Sequence, residues 1–246
     1  MKMNTRYIDR IVKSRWLDLL VRMARYNMKI IFAGRFLWFF LASLVFYILL
    51  AINLVFNEPG YTMSSVYGIL YFPAVLLIFY PTAFGIQNDA DARILEILFG
   101  IPDYRYKVWL VRLVMIFILV WLFLLVFCVL GYYALVPFPI ISMSLQLMFP
   151  VVFLGCLSFM ISTVVKNGNG TAVIMVIVGI TLLILSDFLS RTQWNVFLNP
   201  FSIPDDMNEL IWSQITQKNR IFLAVGSVIF LLAGLTNLQR REKFLK

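Results

Sequence analysis

Apolar residues run for about twenty positions at a time, six times over: Phe36 to Phe56, Ser65 to Ile86, Trp109 to Val136, Met143 to Val165, Thr171 to Leu189 and Ile221 to Leu238. A bilayer core is crossed by about 20 apolar residues in a helix rising 1.5 Å per residue, so each run predicts a spanning helix. The fold class is therefore an all-α integral membrane protein with six transmembrane helices, forming one transmembrane domain over residues 1–246.

Two further patterns have the 3.6-residue period of a helix without the length of uniform apolarity. From Arg15 to Ile31, within a region 14–34, the charged residues Arg15, Asp18, Arg22, Arg25 and Lys29 share an arc of about 80°, and Trp16, Leu17, Leu20, Met23, Ala24, Met28 and Ile31 face away from it. Such a helix lies in the headgroup plane with its apolar side down; an extension of the first span, continuous through Gly34, is the alternative. The second pattern is the only long charged stretch between the second and third spans, Asp89 to Arg112. Asn88 or Asp89 can cap a helix with its body over Ala90 to Phe99, Gly100 supplies a left-handed C-terminal residue, and Pro102 stops continuation. Asp89 and Arg93 are four apart and Arg93 and Glu96 three apart, so their charges support one another. Ile94, Leu95, Leu98 and Phe99 give this segment, 88–100, an apolar side. A simple interfacial connector would read the same way.

The last connection, 190–220, has more content than a linker. Asn199, Pro200 and Phe201 make a break, and Pro204 with Asp205 and Asp206 can start a helix that places Met207, Leu210, Ile211 and Ile215 at helical spacing. Trp38, Trp109, Trp194 and Trp212 fall near span boundaries and fit an aromatic belt, whereas Trp121 lies mid-span. The polar groups inside spans, Asn53, Gln146, Ser158, Thr163 and Ser186, are of the kind that hydrogen-bond between helices.

Composition agrees with the pattern: 62% hydrophobic and 13% charged residues, against roughly 45–50% and about 25% in an average soluble domain. Charge adds orientation. Of the 21 basic residues, all but Arg191, Lys218 and Arg220 fall on one side of the six spans. Basic flanks stay cytoplasmic, so both termini and the Asp89 to Arg112 segment are expected inside, most simply in the cytoplasmic (inner) membrane of a bacterium. The net charge of +9 then reflects topology and contact with anionic membrane lipids, not a nucleic-acid partner, since no separate basic domain is present. The first 35 residues lack the compact apolar run of a cleavable signal.

Several chemistries are unsupported. The chain has no histidine, which removes Ser-His proteases and H-E-x-x-H zinc sites. Cys128 and Cys156 sit inside spans, without the clustering a metal requires, and read as small packing residues. There is no G-x-x-x-x-G-K-[ST] phosphate loop. The run Gly168-Asn-Gly170-Thr171 reads as a tight turn, and its match to a glycosylation acceptor falls on the cytoplasmic side. Of the acids only Asp187 approaches membrane depth, and it has no evident relay partner.

The run Arg93-Ile-Leu-Glu96-Ile-Leu98-Phe99-Gly100-Ile-Pro102, followed by Arg105 and Lys107 and then a long apolar span, resembles the segment between the second and third spans of type-two ATP-binding cassette (ABC) exporter permeases. Ile101 departs from the threonine usual in that family. The amphipathic helix before the first span is similar to the family's elbow helix, and the six spans and long fifth connection agree across nearly the whole chain. The resemblance implies a transmembrane subunit that is not itself an enzyme. It binds no cofactor, with ATP and Mg held by a partner ATPase and a second permease copy or a paralogue completing the core. Asp89, Asp91, Arg93, Glu96, Leu98, Phe99, Gly100 and Pro102 would form the coupling helix on that ATPase. Arg15, Arg22, Arg25 and Lys29 would mark the elbow-helix interface, and Asn199, Pro200 and Phe201 an external gate within a re-entrant region. Charge-poor spans favour a hydrophobic or amphipathic cargo. Two other classes remain open: a membrane scaffold that docks a soluble partner through the same insert, and an ion-coupled secondary transporter.

Overall fold

The computed structural model describes residues 36–57, 60–91 and 105–238. The region 14–34, with Arg15, Arg22, Arg25 and Lys29, lies outside the described residues, as do Arg93, Glu96, Leu98, Phe99, Gly100 and Pro102 of the insert.

Six helices long and apolar enough to cross a membrane run up and down: α1 (Phe36–Asn57), α2 (Met63–Asp91), α3 (Val111–Ala134), α4 (Ile140–Val165), α5 (Gly168–Phe188) and α6 (Glu209–Asn237). A π-helical turn, Arg105–Leu110, leads into α3. The chain is a multi-pass membrane protein, and no strand occurs among the described residues. Alternation puts the C-terminal end of α2 and the N-terminal end of α3, the α4–α5 turn and the ends of α1 and α6 nearest the chain termini at one end of the bundle, the insert end. The α1–α2 and α3–α4 connections and residues 189–208 lie at the other, the loop end.

Burial separates the helices into a core and a periphery. Of the most apolar window in each helix, 56% is buried in α2 and in α4, against 17% in α1 and 11% in α5. The last two therefore turn most of their apolar surface outward, Val173, Val176, Ile177, Ile180 and Ile184 forming one such stripe on α5. α4 is the hub, packed on α2, α3, α5 and α6. Small residues set its close approaches: a Cβ on Gly155 would sit 2.7 Å from Ile78 and 2.9 Å from Phe117, and one on Gly234 of α6 would sit 2.7 Å from Phe159.

Prolines inside spans break the helical ladder, and hydroxyls reinforce the backbone near those breaks, as membrane burial demands. Pro73 and Pro81 fall within α2. Ser43 of α1 donates to the Pro73 carbonyl at 2.8 Å, Thr82 to the Ile78 carbonyl at 2.8 Å, and Ser162 of α4 to the Ala83 carbonyl at 2.9 Å. Cys128 and Cys156 are free and buried in the core.

Three sequence expectations need correction. Asn88 and Asp89 are not N-cap residues: α2 continues through both to Asp91, and the Asp89 carboxylate pairs with Arg112 of α3. The helix anticipated from Pro204 is not separate either. It begins at Glu209, capped by the Asn208 side chain accepting from the Leu210 N–H, and is continuous with the last span. Finally, Trp38 and Trp194 are exposed as belt residues should be, but Trp109 and Trp212 are buried. Trp109 packs under Arg112, and Trp212 donates its indole N–H to the Pro200 carbonyl at 3.1 Å. The turn at Gly168 is a helix junction, with Lys166 left-handed at φ 61° and Asn167 accepting from Asn169 and Gly170.

Candidate functional site: two buried arginines at opposite ends

At the insert end, the two roots of the 92–104 connection are fastened to each other. Asp89, on the last turn of α2, receives Nη1 of Arg112 at 2.5 Å on Oδ2 and Nη2 at 3.2 Å on Oδ1. Both side chains are almost fully buried, at 3% and 5% exposure. This fork-to-fork geometry is the strong form of charge-assisted pairing, and arginine supplies it where lysine cannot. The guanidinium lies 5.1 Å from the Trp109 ring centre. Trp109 in turn packs against Phe159 of α4 in a cluster with Ile86, Leu113, Leu235 and Leu238. Lateral ties surround the pair: Gln87 accepts from the Gly168 N–H of α5 at 2.5 Å, and Asn237 of α6 donates to Thr163 of α4 at 3.3 Å. The Nε of Arg112 and the indole N–H of Trp109 are buried donors without an acceptor.

Of the residues assigned to coupling, Asp89 and Asp91 are described. Asp91 is exposed and accepts a 3.4 Å bond from Gln87. Asp89 points into the bundle, where Arg112 pairs with it; the Arg93 that sequence spacing offered lies outside the described residues.

At the loop end, residues 189–208 form a chain of turns held down by asparagines. Asn195 and Asn199 each accept from the backbone N–H two residues on. The Asn199 amide also donates to the carbonyl and hydroxyl of Ser64, both at 3.0 Å. Phe201 meets Tyr67 edge-on and Phe197 meets Tyr71 likewise. Asn199, Pro200 and Phe201 are thus brought together onto α2 and α6.

Beneath this cover lies the residue that the sequence reading passed over. Arg220 is 7% exposed. It donates from Nε to Gln146 of α4 at 2.7 Å, from Nη1 to Asn219 at 2.9 Å and from Nη2 to the Leu198 carbonyl at 3.5 Å, with the Phe149 ring centre 5.5 Å away. Asn219 donates onward to the carbonyls of Gln193 and Asn195. No carboxylate pairs with Arg220 among the described residues. Beside it opens a cleft of about 720 Å³ between α4, α6 and residues 200–203. The signal was present in the adjacent pair Asn219-Arg220 and the amphipathic spacing ahead of it. It was lost by starting the last span at Ile221.

Among the other polar residues anticipated between helices, Gln146 and Thr163 do bridge α4 to α6. Ser186 bonds within its own helix, Ser158 has no partner, and Asn53 is exposed. No cluster of metal-ligating side chains occurs among the described residues. Compared with models of protein families, with curated proteins and with solved structures, the chain finds no match.

Proposed function

We propose that the chain is the transmembrane permease subunit of an ATP-binding cassette exporter, driven by a separate ATPase subunit that holds ATP and Mg. The segment around Arg93 and Glu96 docks on that ATPase from the cytoplasmic side, and a second copy or a paralogue completes a twelve-span core. Both termini are cytoplasmic, and the cargo is hydrophobic or amphipathic.

The observation that carries this reading is the Asp89–Arg112 pair. A segment that only connects two helices needs no such fastening. A segment that must move its helices does, because a push on a loose loop dissipates in the loop. With both roots locked together and stacked through Trp109 on α4, displacement of the insert becomes displacement of α2, α3 and the hub at once. Interiors packed this closely switch between discrete arrangements instead of deforming smoothly. ATP binding can drive the switch only by favouring one arrangement over the other.

The test is purification of the tagged chain from its native membrane. The proposal expects a stoichiometric ATP-binding partner that is lost on replacing Arg93 and Glu96 with alanine, with the amount of chain in the membrane unchanged. A chain that purifies without any such partner would instead be a scaffold or a secondary transporter.

A further inference from the structure

The cleft beside Arg220 has two unlike walls. On α6, Glu209, Ser213, Thr216, Gln217 and Arg220 recur at helical spacing and form a polar stripe along one face. Facing them are Phe149, Pro200 and Ile203, with Leu210 and Trp212 completing the apolar lining. Arg220 stands eleven residues, or about 16 Å, along α6 from Glu209. It falls where the uncharged, mostly apolar run of Ile221 to Leu238 begins. Glu209 is exposed at the far end of the stripe.

An arginine does not lose its proton in a protein, and a buried charge without an opposite charge is costly. Among the described residues the three acceptors bonded to Arg220 are neutral, and the third, at 3.5 Å, is long. Behind it lie two buried hydroxyls, Tyr67 close enough to interact directly with the guanidinium and Tyr71 in its field without a hydrogen-bond partner among the described residues. Thr216, on the cleft wall, also has a buried hydroxyl oxygen without a partner. Ionisable residues at membrane depth mark ligand pathways when their counter-charge is not supplied by the protein. A guanidinium with spare donors, ringed by hydroxyls, matches the oxygens of a phosphate-type head.

We propose that this cleft binds an amphiphile with an anionic, phosphate-like head, the head on Arg220 and the tail against Phe149, Ile203, Leu210 and Trp212. The site stands independently of what drives the chain. If the chain is an exporter subunit, the site names the charge class of what it handles.

The full chain in phosphatidylcholine nanodiscs is titrated with dodecyl phosphate, with dodecylphosphocholine, which has the same tail and a zwitterionic head, and with inorganic phosphate, while tryptophan fluorescence is followed; Trp212 lines the cleft. Dodecyl phosphate should give a saturable change that neither other probe gives over the same concentrations. Arg220→Gln should weaken it about tenfold, the share of one charge-assisted contact. Leu210→Glu, at a position 71% exposed, leaves the buried network untouched and should weaken it similarly by setting a charge against the alkyl tail, so it carries the test even if the arginine variant fails to fold. Equal affinity in wild type and Leu210→Glu, an equal response to the zwitterion, or saturation by inorganic phosphate alone would each overturn the proposal. No ATPase is present, so failure here leaves the coupling reading standing, and failure of coupling leaves this site standing.

Discussion

The two ends of the bundle each bury an arginine between helices, and they treat it in opposite ways. At the insert end, Arg112 meets a carboxylate in bidentate geometry and the charge is cancelled within the fold. At the loop end, Arg220 is surrounded by amides, a carbonyl and hydroxyls, so its charge is solvated but not cancelled. A cancelled charge fixes geometry, which suits a joint. An uncancelled one keeps an electrostatic demand that something outside the chain can meet. The two buried arginines thus differ in kind: one is neutralised inside the fold and the other is not.

The comparison breaks most visibly in stability. Asp89→Ala strands a buried guanidinium and should cost about 3–5 kcal/mol, whereas Arg220→Gln removes a charge that has no carboxylate partner among the described residues and should cost about 1–3 kcal/mol through lost hydrogen bonds. Denaturation of both variants in the same detergent compares them, and equal losses would erase the distinction. Next comes Gly155→Ala at the hub between the two ends. Its Cβ must displace Ile78 and Phe117, an overpacking cost of about 1–3 kcal/mol that should lower the unfolding midpoint without altering ligand binding at Arg220. Asn199→Ala releases the loop-end cover from Ser64. The cost is about 1 kcal/mol, seen as faster amide exchange at Phe197, Leu198 and Phe201 while the insert end is unaffected. The smallest effect belongs to the exposed pair Arg191–Asp206, with side chains 61% and 53% exposed. Arg191→Ala should change stability by less than about 0.5 kcal/mol, which shows that burial, and not pairing alone, gives the other arginines their weight.

Much of the fold was legible because it depends on one-dimensional facts. Runs of apolar residues long enough to cross a bilayer gave six helices with ends mostly within a few residues of those observed. The exceptions share a cause. Asp89 has the composition of a helix N-cap, yet it sits in the last turn of α2 with its carboxylate on Arg112, 23 positions away. Arg220 looks like the flank of a span and becomes a buried group because residues 189–208 fold over it and Gln146 reaches it from α4. Trp109 carries the signature of an interfacial anchor, yet Phe159 and Arg112 enclose it. Local pattern sets which segments are helical. Which polar side chain faces which is decided by pairings distant in sequence, and single-sequence periodicity carries no information about them. The grouping of Asn199, Pro200 and Phe201 was recoverable because it rests on local turn chemistry.

The central claim is that an external ATPase acts through the insert whose roots are fastened by Asp89 and Arg112, and the rate of ATP hydrolysis by the purified assembly tests it most directly. For Arg93→Ala/Glu96→Ala beside wild type, both reconstituted in the same lipid, the account predicts that stimulation of hydrolysis by the membrane subunit, and cargo movement with it, falls while insertion of the subunit is unchanged. Stimulation at the wild-type rate in the double variant would contradict it.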